Sequence, residues 1–169
     1  MKPQILTIKP KNRVSQKFIV MEGSTSIADI WISSGWRYEG VLNANDVPYR
    51  VYREGLMSGA YVLASGGLRL AWAEKLAFFR HAFVIEYATK SITVRAQSKF
   101  GSGFVVRDGD AKVGLVKTFI EPQGPLSYST CASAELPEGW PLEFKVFVIC
   151  VGVGHIFRGV RTPGSAGGA

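Results

Sequence analysis

The sequence is poor in the residues that carry redox, metal and nucleophilic chemistry. Two cysteines, Cys131 and Cys150, occur in 169 residues. That is too few for a disulfide framework, and each sits among apolar or small neighbours, where a free thiol acts as a small hydrophobe. The opening MKPQILTIKPKNR has a lysine but no apolar run of export length, so the chain reads as cytoplasmic and its thiols as reduced. Histidine is equally scarce, at His81 and His155. No Cys or His pair has ligand spacing, and Asp108-Gly109-Asp110 lacks the acidic ladder of a calcium loop, so neither a metal nor a cofactor is expected. G-x-S-x-G and the catalytic-cysteine signatures are missing. The GSGF at 101–104 has no phosphate-loop lysine and precedes a strand rather than a helix. The expectation is a chain that is not an enzyme.

Acidic residues are missing from both ends. Lys2, Lys9, Lys11, Arg13 and Lys17 precede the first acid, and Lys145, Arg158 and Arg161 follow the last, Glu143. The formal charge of +7 therefore belongs to the ends, because residues 18–143 carry 12 basic and 13 acidic side chains. Residues 1–16 read as a solvated basic arm and 160–169 as a flexible tail. Such an arm suits an anionic membrane or a nucleic acid. Between them, residues 17–159 have the length and the apolar content of one folded domain.

Most of that domain reads as short strands punctuated by Gly, Asn and Asp. Alternation is clean in FVIEY, where Phe83, Ile85 and Tyr87 share a face, and in SITVRA, where Ile92, Val94 and Ala96 do. A repeat with an offset of 21 aligns AFFRHAFVIE (77–86) with SKFGSGFVVR (98–107). It pairs Phe83 with Phe104, and Ile92 and Val94 with Val113 and Leu115. Each unit is a hairpin, the second turning at Asp108-Gly109-Asp110. Ten or more alternating strands must hide both their apolar faces and their edges, and a closed barrel does both.

A barrel of that size has a lumen too wide for its own side chains, and the segment 141–158 is suited to fill it. Its apolar residues run all the way round, the pattern of a helix buried on every side or spanning a membrane. The charge-free run from Val146 to Phe157 is 12 residues, whereas a span takes roughly 20. Gly152 and Gly154 lower helicity by about 1 kcal/mol each, which suits close approach of the wall. The expected fold is therefore all-β with one helix: a closed antiparallel barrel of about twelve strands around a buried hydrophobic C-terminal helix.

The run WAEKLAFFRHAFVIE (72–86), then RAQSKFGSGF (95–104), DGDAKVGLVK (108–117) and LPEGWPL (136–142), resembles the tubby C-terminal-like superfamily. Phospholipid scramblases and LURP-one-related proteins share that fold, and the likeness is to its uncharacterised bacterial members. It covers residues 17–158 and implies a twelve-stranded barrel around a central helix. Tubby proteins bind phosphoinositides through lysine and arginine. Their C-terminal signature, the scramblase calcium site and the palmitoylated cysteines have no counterpart here.

Lys75, Arg80 and Lys99 lie near the two repeat lead-ins. If these adjoin at one barrel rim, the three form a cradle for an anionic phospholipid head group at a membrane surface. His81, beside Arg80, has no named catalytic partner. A nucleic acid is disfavoured, because the body lacks a basic face. The rival is a structural or protein-interaction domain with no small-molecule ligand.

Overall fold

The computed structural model describes residues 2–11, 16–33, 39–54, 59–77, 80–97, 103–124 and 127–157, with backbone alone at 77, 80–81, 127 and 154–157. Twelve strands precede one helix. They are β1 Pro3–Pro10, β2 Lys17–Glu22, β3 Thr25–Ile32, β4 Glu39–Ala44, β5 Val47–Glu54 and β6 Ala60–Ser65. Then come β7 Leu68–Ala77, β8 Arg80–Tyr87, β9 Lys90–Ala96, β10 Gly103–Asp108, β11 Ala111–Gly124 and β12 Ser127–Pro137, followed by α1 Leu142–Phe157. Every strand pairs antiparallel with its neighbours in sequence, and β1 closes the ring against β12. The barrel with a C-terminal helix expected from the sequence is the architecture observed.

The helix fills the lumen. Phe144, Val146, Phe147, Val148, Ile149, Cys150, Val151 and Val153 are all buried, so between Phe144 and Val153 no side of α1 meets water. Inward wall residues such as Leu6, Ile30, Leu42, Leu63, Ile85, Ile92, Val106 and Leu136 pack in the same core. A helix with its side chains is about 10–12 Å across, a match for the interior that twelve strands leave open. Pro141 was expected inside the first turn but sits just before it. Its carbonyl accepts the Lys145 amide at 3.0 Å, which makes it the N-cap position.

Two sequence expectations need correction. Residues 3–10 are not part of a solvated arm; they are β1. Leu6 and Ile8 point inward, 0% and 1% exposed, while Thr7 and Lys9 take the outer side. The lysines that gave the segment its arm-like look are the solvent half of an ordinary alternation. Residues 12–15 and the tail 160–169 lie outside the described residues. The second correction concerns the repeat. Phe83 and Phe104 are both buried in the core, as equivalent positions should be. In β11, however, a bulge opposite Val106 and Arg107 shifts the phase by one residue. Val116, not Leu115, then pairs with Phe104 and takes the inward place that Val94 holds beside Phe83.

The two barrel ends differ. At one, five hairpins turn in two residues each: 23–24, 45–46, 66–67, 88–89 and 109–110. Asn45 and Asp46 both have positive φ, 51° and 62°, the left-handed pair whose twist matches a tight hairpin. At the other lie the connections 11–16, 33–38, 55–59, 78–79, 97–102 and 125–126. These are the turn end and the loop end below.

No helix among the described residues is long and apolar enough to cross a membrane. By strand register, Lys9, Asp29, Glu74, Glu86, Arg95 and Glu135 project from the outer wall while the lumen is apolar. A transmembrane barrel has the reverse arrangement, an apolar outer band around a polar interior.

Candidate functional site

The turn end is sealed. Trp140, buried, tilts against Phe144 at 5.0 Å, and Tyr87 stacks on the same ring at 4.3 Å. Tyr87 donates its hydroxyl to Glu143 at 3.2 Å; burial first, and that carboxylate second, push its phenol pKa up. Lys145, only 4% exposed, donates to the Gln4 side-chain oxygen and, at 2.8 Å, to the Glu138 carbonyl. Burial pushes its ammonium pKa down, partly offset by Glu22 and Glu138. Gln4 in turn donates to Glu22 at 2.8 Å. This network ties the start of β1, the end of β2 and the first helical turn together, satisfying a charge that would be costly to bury alone.

The loop end presents inward cations instead. In β5, Val51 faces the core, so Arg53, two residues on and paired with Tyr61, faces inward too. In β7, Ala73 is buried, and Lys75 shares its face and pairs with the buried Phe83. Tyr61 and Phe83 meet edge to face at 6.0 Å at this end. Arg53 Nε is buried with no hydrogen-bond partner among the described residues. Gly59, at φ 68°, lets the guanidinium fold over the backbone, since a Cβ there would stand 3.1 Å from Nη2. Among the described residues, register places no carboxylate on the inward face at this end.

Of the three residues singled out from sequence, Lys75 is half-buried on this inward face. Arg80 begins β8 at the same end, opposite Ala77, but its side chain lies outside the described residues. Lys99 lies outside them altogether, in the 97–102 connection that topology assigns to the loop end. Sequence reasoning missed Arg53, whose inward place depends on β5 running on to Glu54. Carried one step further, the alternation Tyr49, Val51, Arg53 would have found it.

Composition sharpens the contrast between the ends. The loop-end connections contain Lys11, Arg13, Arg37 and Lys99, the aromatics Trp36, Tyr38, Phe78, Phe79 and Phe100, and no acidic residue. The five turn-end hairpins contain Asp46 and Asp110 and neither a basic nor an aromatic residue.

Two other features bear on function. On the outer wall a depression of about 420 Å³ is lined by Arg69, Leu70, Ala71, Trp72, Glu86 and Ala88. Arg69 lies 4.7 Å over the Trp72 ring, so the chain's own cation occupies that aromatic face. Near the loop end, Lys9 bridges Glu121 at 2.8 Å, and the buried Cys131 thiol donates to Glu121 at 3.7 Å. Burial and then the carboxylate push the thiol from 9.0 up to about 11. The thiolate is the reactive form, so at pH 8 its population falls about a hundredfold. Iodoacetamide at that pH is expected to leave Cys131 unmodified in the folded protein and to alkylate it in urea, read by peptide mass. Among the described residues no three metal-ligating side chains converge.

These features define the molecule as a helix-filled antiparallel barrel with one sealed end and one end that carries inward cations. No protein-family model, no curated protein and no solved structure matches the chain.

Proposed function

We propose that the chain is a non-catalytic binding module whose loop end recognises the anionic head group of a phospholipid. The observation that carries this reading is the pair of inward cations, Arg53 and Lys75, at a rim with no described inward acid. A buried guanidinium nitrogen without a partner is costly to hold, and a phosphate or carboxylate oxygen supplies the partner. Arg80 and Lys99 belong to the same end of the chain's topology and would add to the field. The resemblance to the tubby C-terminal-like superfamily points to the same ligand class by analogy of fold; on this reading the protein acts in the cytoplasm at a membrane surface.

One structural demand competes for these cations. The carbonyl end of α1 points to the loop end, where positive charge complements the helix dipole. The test must therefore separate binding from stability. Co-sedimentation with phosphatidylcholine vesicles, with and without phosphatidylserine, is expected to show binding only to the anionic ones, weakening as salt rises. Each cation at a charged bilayer is worth about 1 kcal/mol, so Arg53→Gln with Lys75→Gln should weaken binding about thirtyfold. Lys2→Gln with Lys112→Gln, exposed at the turn end, should change it little. Melting temperatures of both pairs control for the dipole. Equal binding to neutral vesicles, or no response to losing Arg53 and Lys75, would rule the reading out.

A further inference from the structure

The β11–β12 hairpin overshoots the wall at the loop end. β10 accompanies β11 only as far as Gly103 opposite Lys117, and β1 accompanies β12 only as far as Ile8 opposite Ala132. β11 and β12 continue pairing with each other to Gly124 opposite Ser127. Five to seven residues of each strand, at about 3.3 Å per residue, project roughly 15–20 Å past their flanking partners. The Lys9–Glu121 bridge ties the middle of this projection to β1.

The projection is apolar where a soluble hairpin would be polar. Ile120 is 67% exposed and Tyr128 68%, with Pro122 paired to Tyr128 on the same face. Phe119, on the other face, is 38% exposed. Glu121 is the only ionisable acid or base between Thr118 and Thr130 apart from Tyr128, and Lys9 neutralises it. Exposed Lys117 stands at the base. An aliphatic and an aromatic side chain beyond a basic residue is the composition of a bilayer interface anchor.

We infer that this hairpin is a membrane prong: Ile120, Pro122 and Tyr128 enter the interface of an anionic bilayer, with the loop end facing lipid and the turn end facing away. The inference rests on the head-group reading above. It adds the orientation and the segment that penetrates. Charge complementarity selects the occupant, because the connections that topology assigns to the loop end contain Lys11, Arg13, Arg37 and Lys99 and no acid.

The experiment uses the full chain carrying a polarity-sensitive fluorophore at Tyr128→Cys or, separately, at Asp46→Cys, the native thiols being buried. With phosphatidylserine-containing vesicles the Tyr128→Cys label should shift to the blue and be quenched by brominated acyl chains, and the Asp46→Cys label should do neither. Ile120→Ser with Tyr128→Ser should weaken vesicle binding about tenfold through lost apolar transfer. Sedimentation with vesicles but no response at position 128, or a response at position 46, overturns the prong and leaves the head-group reading standing. Failure to sediment with any vesicle overturns both. A label at 128 that responds to single-stranded oligonucleotide and not to vesicles overturns the lipid assignment in favour of base stacking.

Discussion

A variant lacking residues 1–10 is expected to lose cooperative folding altogether. β1 is the only strand joining β12 to β2, so its removal opens the ring and exposes two long edges at once. Leu6 and Ile8 leave the core as well, worth about 1.5–3 kcal/mol each when fully buried. Gln4, a partner of the buried Lys145, goes with them. Breaking a buried charge network from one side costs about 3–5 kcal/mol. Against a total stability of about 5–15 kcal/mol, these losses leave little or nothing. Urea denaturation followed by tryptophan fluorescence should show no two-state transition for the truncated chain. By contrast, Lys2→Gln, Lys9→Gln and Lys11→Gln together remove three of the four basic side chains of the supposed arm but keep the strand. That variant should retain a cooperative transition with the same slope against urea. A truncated chain that unfolds like the full one would mean that β1 is dispensable to the barrel.

Phe147→Ala is expected to destabilise the protein by about 3–5 kcal/mol. The ring is fully buried on the helix that fills the lumen, and the wall is a closed hydrogen-bonded ring that cannot collapse onto the gap. For a chain of this length that corresponds to a fall in melting temperature of about 10 °C or more. Gly152→Ala on the same helix sets the comparison. A Cβ there would meet the Phe104 ring at 3.6 Å and Val94 at 3.7 Å, ordinary contact distances. The added methyl fits and removes a helix-weakening glycine, so a gain of about 0.5–1 kcal/mol is expected. Thus the close-approach explanation for Gly152 in the sequence does not hold, since the wall leaves room for alanine. Calorimetry of the two variants checks both signs. A fall of less than 1 kcal/mol for Phe147→Ala would show the lumen to be loosely filled.

The barrel was legible because its signals are local and repeated. Alternation in segments such as FVIEY and SITVRA sets which side chains turn inward, and a helix apolar on all sides has nowhere to go but an interior. What escaped reading depended on pairing between distant segments. PQILTIKP alternates well enough, but only its partnership with β12 and β2 tells a closing strand from a basic tail. The bulge in β11 left no mark in composition, so Leu115 was assigned the phase that Val116 occupies. Arg53 was lost at a strand boundary, the least certain part of any sequence reading. Lys75 was picked out for its charge, whereas its inward orientation came only with the register against Phe83. The overshoot of β11 and β12 is likewise a matter of where neighbours stop pairing, which no single segment encodes.

Leu6 finds its partner Ala134 only 128 residues later, and α1 follows every strand. On the ribosome, then, the nascent wall has neither its seam nor its filling until β12 and α1 are made. Joining ends that far apart carries an entropy penalty of about 4 kcal/mol before any contact repays it. Folding of the barrel should therefore wait for α1 and be slow, with the inward faces of the hairpins dependent on chaperone shelter until that helix emerges.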